Sequence, residues 1–212
     1  MSALTHQTAP TQFVEADGVR YACRRLGPEG TVPLVMPQHF TGNLDNWDPA
    51  CVDAPATERE VVLVDCPGVS ASSGRPATTV AAMAAMAQQM ITFTVALGLD
   101  RIDLLGFSIG GFVAQDMALI RPRLIRRLVP AGTGPKGAPG THGWRKVIET
   151  HARAETPTGE DLLHIFFAHT ETSQAEGVEF LGRFTARSED RDAPSSLASR
   201  DARYDSASTA RG

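Results

Sequence analysis

Residues Leu104 to Gly111, LLGFSIGG, set a serine between two glycines at the end of an apolar run. The segment RIDLLGFS reads as a strand, and it runs directly into IGGFVAQDMALIRP, which reads as a helix. Val113, Met117 and Ile120 fall on one side of that helix, and Pro122 is its stop. A Gly-x-Ser-x-Gly pentapeptide is by itself a modest signal, because glycine and serine are common. Its setting between a strand and a helix is the informative part. A sharp strand-to-helix turn holds such a serine in a strained conformation and lifts its hydroxyl above the sheet. Gly106 and Gly110 would leave room for the backbone where the two elements cross. The helix N-terminus beside Ser108 favours negative charge at the same place. The bland alternative is that Ser108 merely caps a glycine-rich helix start.

Outward from this stretch, the signals alternate. QFVEA and VRYACRRL flank Asp17-Gly18, a hairpin signature. VPLVMPQHF and EVVLVDCPG are apolar runs of buried-strand character, with a helix predicted near Asp48–Ala56 between them. Thr79–Leu99 reads as a helix whose Met83, Met86 and Met90 share a face, a pattern of core packing. RRLVPAGTGP is a further strand and its loop. Strands without polar alternation, separated by helices, imply an α/β fold with a mostly parallel sheet covered on both faces.

Past Pro135 the character changes. PKGAPGTHG is a Gly/Pro linker, and the ordered sequence beyond it reads as helical. Thr158 with Asp161, and Ser173 with Glu176, are capping-box spacings ahead of LLHIFF and VEFLGRF. From Ser188 onward large apolar residues are almost absent, so poor order is expected there. The implied division is 1–135 as core, 136–187 as a helical segment and 188–212 as tail.

The 212 residues are 42% hydrophobic with a net charge of −4, enough for one sizeable core and a weak argument against nucleic-acid partners. Arg121, Arg123, Arg126 and Arg127 form the one dense basic cluster, read as cations around a helix end. No run reaches the roughly 18 apolar residues of a membrane span. The start has no signal-peptide pattern, and Cys23, Cys51 and Cys66 are odd in number and widely spaced. These features point to a cytoplasmic protein with reduced thiols rather than a disulfide framework or a zinc site. GPEG, GVSASSG and GTGPKG are glycine-rich, but none follows a phosphate-loop or dinucleotide pattern.

QHFTGNLDNW, VDCPGVSASSG, LLGFSIGGFVAQDMAL and AGTGPKG together resemble the α/β-hydrolase superfamily, in its branch of small cofactor-free bacterial hydrolases. The resemblance covers roughly residues 12–187 and implies an α/β-hydrolase fold in which 136–187 is a cap over the active site. It makes Ser108 the catalytic nucleophile, on an elbow with Gly106 and Gly110, acting on a small acyl substrate. It assigns the oxyanion hole to the backbone N–H groups of Phe40 and Ile109, with Gln38-His39 standing where the family has His-Gly. His39 is then a residue that holds the loop rather than a base. Some members of the branch use the same machinery for perhydrolysis or halide oxidation.

A serine hydroxyl needs a base and an acid to orient it. The family order is serine, then acid, then histidine, yet Pro130–Gly134 after the next strand holds no carboxylate. His142, His151, His164 and His169 each lack a strand-then-loop setting, His169 being the least unsuitable. The resemblance therefore implies a truncated hydrolase lacking its last two strands, with an exposed sheet edge that invites self-association. The competing reading is a non-catalytic member of the fold that binds a ligand or a partner.

Overall fold

The computed structural model describes residues 4–76, 82–135, 151 and 157–209. Strands β1 (Gln12–Ala16) and β2 (Val19–Leu26) form the hairpin, with Ala16 opposite Val19. Asp17 and Gly18, at φ 49° and 72°, make its two-residue turn, a conformation that matches the twist of the strands. Strands β3 (Leu34–Pro37), β4 (Val61–Val64), β5 (Ile102–Phe107) and β6 (Ile125–Ala131) complete one sheet in the order β1-β2-β4-β3-β5-β6. β2 joins β4 antiparallel, whereas β4, β3, β5 and β6 are mutually parallel. The C-terminal ends of four strands thus share one edge of the sheet.

Both faces of the central strands are buried, which explains their unbroken apolar sequence. Leu34, Met36, Val61 and Leu63 pack with Leu44, Trp47 and Val52 against α1 (Pro49–Ala56). The alternate residues Val35, Val62, Val64, Ile102 and Leu104 face the other layer. That layer is α2 (Ala82–Ala96), with buried Met83, Met86 and Met90, and α3 (Ile109–Ile120), with buried Val113 and Met117. Ile120, expected on the same side, is 46% exposed because it closes the last turn, where α3 leaves the sheet. β6 lies at the edge and is largely exposed, with Val129 open to solvent.

Three further expectations are revised. Arg126 does not serve a helix end: its guanidinium forks onto Asp103 at 2.8 and 2.7 Å, and Arg59 reaches the same carboxylate at 2.8 Å. The Arg126 pairing, with Arg59 beside it, holds Asp103 down at about 2. Beyond β6, α4 (Gly159–Phe166) begins at the Thr158–Asp161 capping box as the spacing predicts. α5 (Glu171–Thr185) starts earlier than Ser173, because the Thr170 hydroxyl caps it by accepting the Ser173 N–H. The tail differs most. Instead of poor order throughout, α6 (Leu197–Thr209) is formed, and Ser195, Ser199, Arg200 and Arg203 are buried, as is Arg187 just ahead of the tail. Ion pairs and backbone carbonyls replace the apolar contacts that the tail lacks.

Candidate active site

Ser108 follows the last residue of β5 and precedes the first of α3. Its backbone sits at φ 55° and ψ −117°, a region a side chain occupies only under constraint, at a cost of about 1–3 kcal/mol. The constraint is visible on both sides. The Ser108 N–H donates to the Ala131 carbonyl at 2.8 Å, and the Ser108 carbonyl accepts the Gly111 N–H at 2.9 Å. The side chain makes no capping hydrogen bond, which separates this turn from an ordinary N-cap.

The glycines explain how so tight a turn fits. A Cβ on Gly106 would overlap the Gly110 carbonyl and stand 2.7 Å from the Gly111 Cα. A Cβ on Gly110 would overlap the Pro37 carbonyl oxygen and stand 3.0 Å from that of Gln38. The start of α3 therefore presses directly on the loop that leaves β3. Gly111, not singled out by the pentapeptide, is as tightly held, its missing Cβ lying 2.8 Å from the Thr133 Cβ. Gly132, at φ 55°, lets the loop after β6 pass the Phe107 ring.

The loop after β3 is braced from within. The Gln38 side-chain oxygen accepts the His39 N–H at 3.0 Å, and the Gly42 N–H donates to the His39 carbonyl at 3.1 Å. His39 Nδ1 lies 2.9 Å from the Thr41 hydroxyl, and its ring meets Phe107 edge-on at 5.5 Å. Phe166 of α4 covers the same place, 5.3 Å from the His39 ring and 5.8 Å from that of Phe107. Burial, with the Arg203 charge behind it, pushes the His39 imidazole down to about 3. A ring so reluctant to take a proton is a poor base at neutral pH. Phe40 and Ile109 both lie buried in the apolar cluster beneath α3.

The remaining histidines gather elsewhere. His151 and His164 stack at 4.0 Å, His164 and His169 at 4.6 Å, and His151 Nδ1 contacts Asp161 at 3.0 Å. Among the described residues no histidine hydrogen-bonds to the Ser108 side chain, and His142 lies outside them. Among the described residues, too, no group of three or more His, Cys, Asp or Glu could hold a metal ion, and no helix is long and apolar enough to cross a membrane.

What the sequence did not disclose is the charge behind the loop. Arg203, only 2% exposed, donates from Nη1 to the His39 carbonyl at 3.2 Å and to that of Gly42 at 3.5 Å. Asp65, after β4, is buried, and among the described residues neither carboxylate oxygen has a hydrogen-bond partner within ordinary geometry. Burial, with the Asp192 carboxyl beside it, holds Asp65 well above the usual carboxylate range. No periodicity or motif points to these residues, since their partners are far away in the chain.

A strained serine between strand and helix, at the C-terminal edge of a parallel sheet with helices on both faces, defines a class of α/β proteins. The particular family follows from comparison. The α/β hydrolase fold family model matches residues 32–154, more than half of the chain, and the chain belongs to that family. An α/β hydrolase fold protein from Chitinophaga pinensis superimposes with a TM-score of 0.90 at 38% identity, over 99% of this chain and 74% of that one. A candidate carbamate hydrolase, RutD, of Rhizobium rhizogenes is 30% identical over 106 residues, 50% of this chain and 40% of that protein. The dihydrolipoyllysine-residue acetyltransferase component of the acetoin cleaving system of Cupriavidus necator is 34% identical over 160 residues, 73% of this chain and 41% of that protein. The chain thus spans about two fifths of the length of these two relatives.

Proposed function

We propose that the chain is a hydrolase in which the Ser108 hydroxyl attacks the carbonyl of a small ester, amide or related acyl compound. The observation that carries this reading is the backbone of Ser108, held at φ 55° without a capping bond at the mouth of the sheet. Strain of that kind has a use when it aims a nucleophile. The backbone N–H groups of Phe40 and Ile109 would receive the oxyanion, each donor of this type being worth about 3 kcal/mol in the transition state. The N-terminus of α3 adds its partial positive charge at the same point. Phe107, next to Ser108 in the chain, packs against Trp47 and Phe166, apolar neighbours that suit a small acyl group. The carbamate-hydrolase relative supports an acyl centre bonded to nitrogen or oxygen. The free thiols Cys23, Cys51 and Cys66 suit a cytoplasmic setting.

A second reading, a non-catalytic ligand- or partner-binding protein of the same fold, is favoured by one observation. No described histidine reaches Ser108, so no described imidazole accepts its proton. A fluorophosphonate probe and p-nitrophenyl acetate, applied to the wild type and to Ser108→Ala, separate the two. Labelling and turnover that vanish in the variant establish the nucleophile. A folded wild type that is never labelled leaves the binding protein as the answer.

A further inference from the structure

We propose that Arg203 is a positioning residue for the oxyanion hole: through the His39 carbonyl it sets the direction of the Phe40 N–H. The inference rests on Phe40 being an oxyanion donor. The His39 carbonyl and the Phe40 N–H belong to one peptide unit. That unit is planar and trans, so the two groups point to opposite sides of the chain. Whatever fixes the carbonyl therefore fixes the N–H.

Among the described residues two donors hold this carbonyl, the Gly42 N–H at 3.1 Å and Arg203 Nη1 at 3.2 Å. The first is a neutral contact within the turn. The second is a buried charge brought from α6, 164 residues away in sequence. Arg203 also spans to the Gly42 carbonyl at 3.5 Å, and its Nη2 meets the Ser195 hydroxyl at 3.4 Å, so the fork cannot swing freely. Burial lowers its pKa only to about 10, and it stays cationic at neutral pH. A charged donor on a carbonyl is roughly twice as strong as a neutral one. It also polarises the peptide, making the opposite N–H a better donor to an anion. Filling this space for packing alone would favour an apolar side chain, because a buried guanidinium carries a large desolvation penalty.

The test uses the full chain with Arg203→Met and Arg203→Lys, each checked for folding by circular dichroism. One readout is the ¹⁵N–¹H resonance of the Phe40 amide, which needs no activity. The other is the rate of Ser108 phosphonylation, with kcat and KM for p-nitrophenyl acetate. Arg203→Met is expected to move the Phe40 resonance and to slow phosphonylation by about tenfold to a hundredfold, with KM changed less than twofold. Arg203→Lys, which keeps the charge but not the fork, is expected to fall between Met and wild type. A folded Met variant with the Phe40 amide unmoved overturns the proposal, as does a Lys variant no better than Met. If Met does not fold, the Lys variant decides by the same amide signal: displaced, it supports the proposal; unmoved, it refutes it. A wild type without phosphonylation sinks the nucleophile, while the amide signal still decides whether Arg203 sets this peptide.

Discussion

The parallel sheet and the segment from Arg187 to Arg203 are held by different forces. In the sheet, Val61, Val62, Leu63, Ile102 and Leu104 are fully buried and touch apolar neighbours on both faces. The later segment buries arginines instead. Arg187 donates to the carbonyls of His6 at 2.8 Å and Ala9 at 2.9 Å. Asp45 binds Arg24 at 2.6 Å, accepts the Asp192 N–H at 2.9 Å and draws in Arg187 and Arg191 at 3.8 and 3.6 Å. The Asp192 carboxylate accepts the Leu44 N–H at 3.1 Å. Apolar burial tolerates small losses at any one point, whereas a buried charge depends on each partner. The tail should therefore be the brittle region and the sheet the forgiving one, except where backbone meets backbone.

The largest expected effect tests the brittle side. Asp45→Ala strands the Arg24 guanidinium in the interior and should cost about 3–5 kcal/mol, read from the urea midpoint. Replacing both partners, Arg24→Met with Asp45→Leu, should recover the part of that loss owed to Arg24, while the Asp192 N–H and Arg187 still lack the carboxylate. Equal losses in the single and double variants would erase the distinction drawn between the regions.

Gly110→Ala probes the exception within the sheet. Its Cβ would run into the Pro37 carbonyl, and neither backbone can yield, so about 3 kcal/mol of stability and the Ser108 labelling should go together. A variant of wild-type stability would mean that α3 does not press on the β3 loop.

The pH dependence of stability is the third measure. His39 titrates near 6.5 when unfolded and at about 3 when folded, and His6 is also lowered by burial. The unfolded chain then binds more protons below pH 6.5, so stability is full above that value and is lost on acidification. Between pH 6.5 and about 3 the His39 imidazole should cost about 1.4 kcal/mol per pH unit, and His6 acts in the same direction. Asp65 acts in the opposite sense: its raised pKa gives a contribution that is full at low pH and lost as pH rises through the folded value. Urea unfolding of Asp65→Asn between pH 7 and 4 removes the opposing contribution of Asp65, and His39→Gln in that background should flatten the remaining slope. A slope unchanged by His39→Gln would show that the ring is not the buried neutral base described.

The smallest effect concerns the sheet edge. Val129→Lys on β6 should change stability by less than about 0.5 kcal/mol, yet reduce self-association in sedimentation velocity if copies pair through this strand. Wild type that is monomeric at high concentration would remove that use of the edge.

Much of this was legible in the residues. The Asp17-Gly18 turn, the unbroken apolar strands and the strand–serine–helix junction follow from local periodicity and from glycine sterics within a few residues. The starts of α4 and α5 show the limit of such reading. Thr158 with Asp161 marked one correctly, whereas Thr170, a neighbour with its own hydroxyl, captured the other. Arg126 was misplaced because its partner, Asp103, sits on the adjacent strand. The tail was unreadable for the same reason on a larger scale, since low hydrophobicity says nothing about carboxylates waiting more than a hundred residues away.

The amino-acid sequence by itself determined the α/β alternation, the hairpin and the sharp turn at Ser108, because each depends on neighbours along the chain. Only the tertiary structure decided that His39 is neutral, that Phe166 covers it and that Arg203 grips its carbonyl. Burial and charge pairing are properties of assembled surfaces, and their partners acquire no common sequence pattern until the fold brings them together.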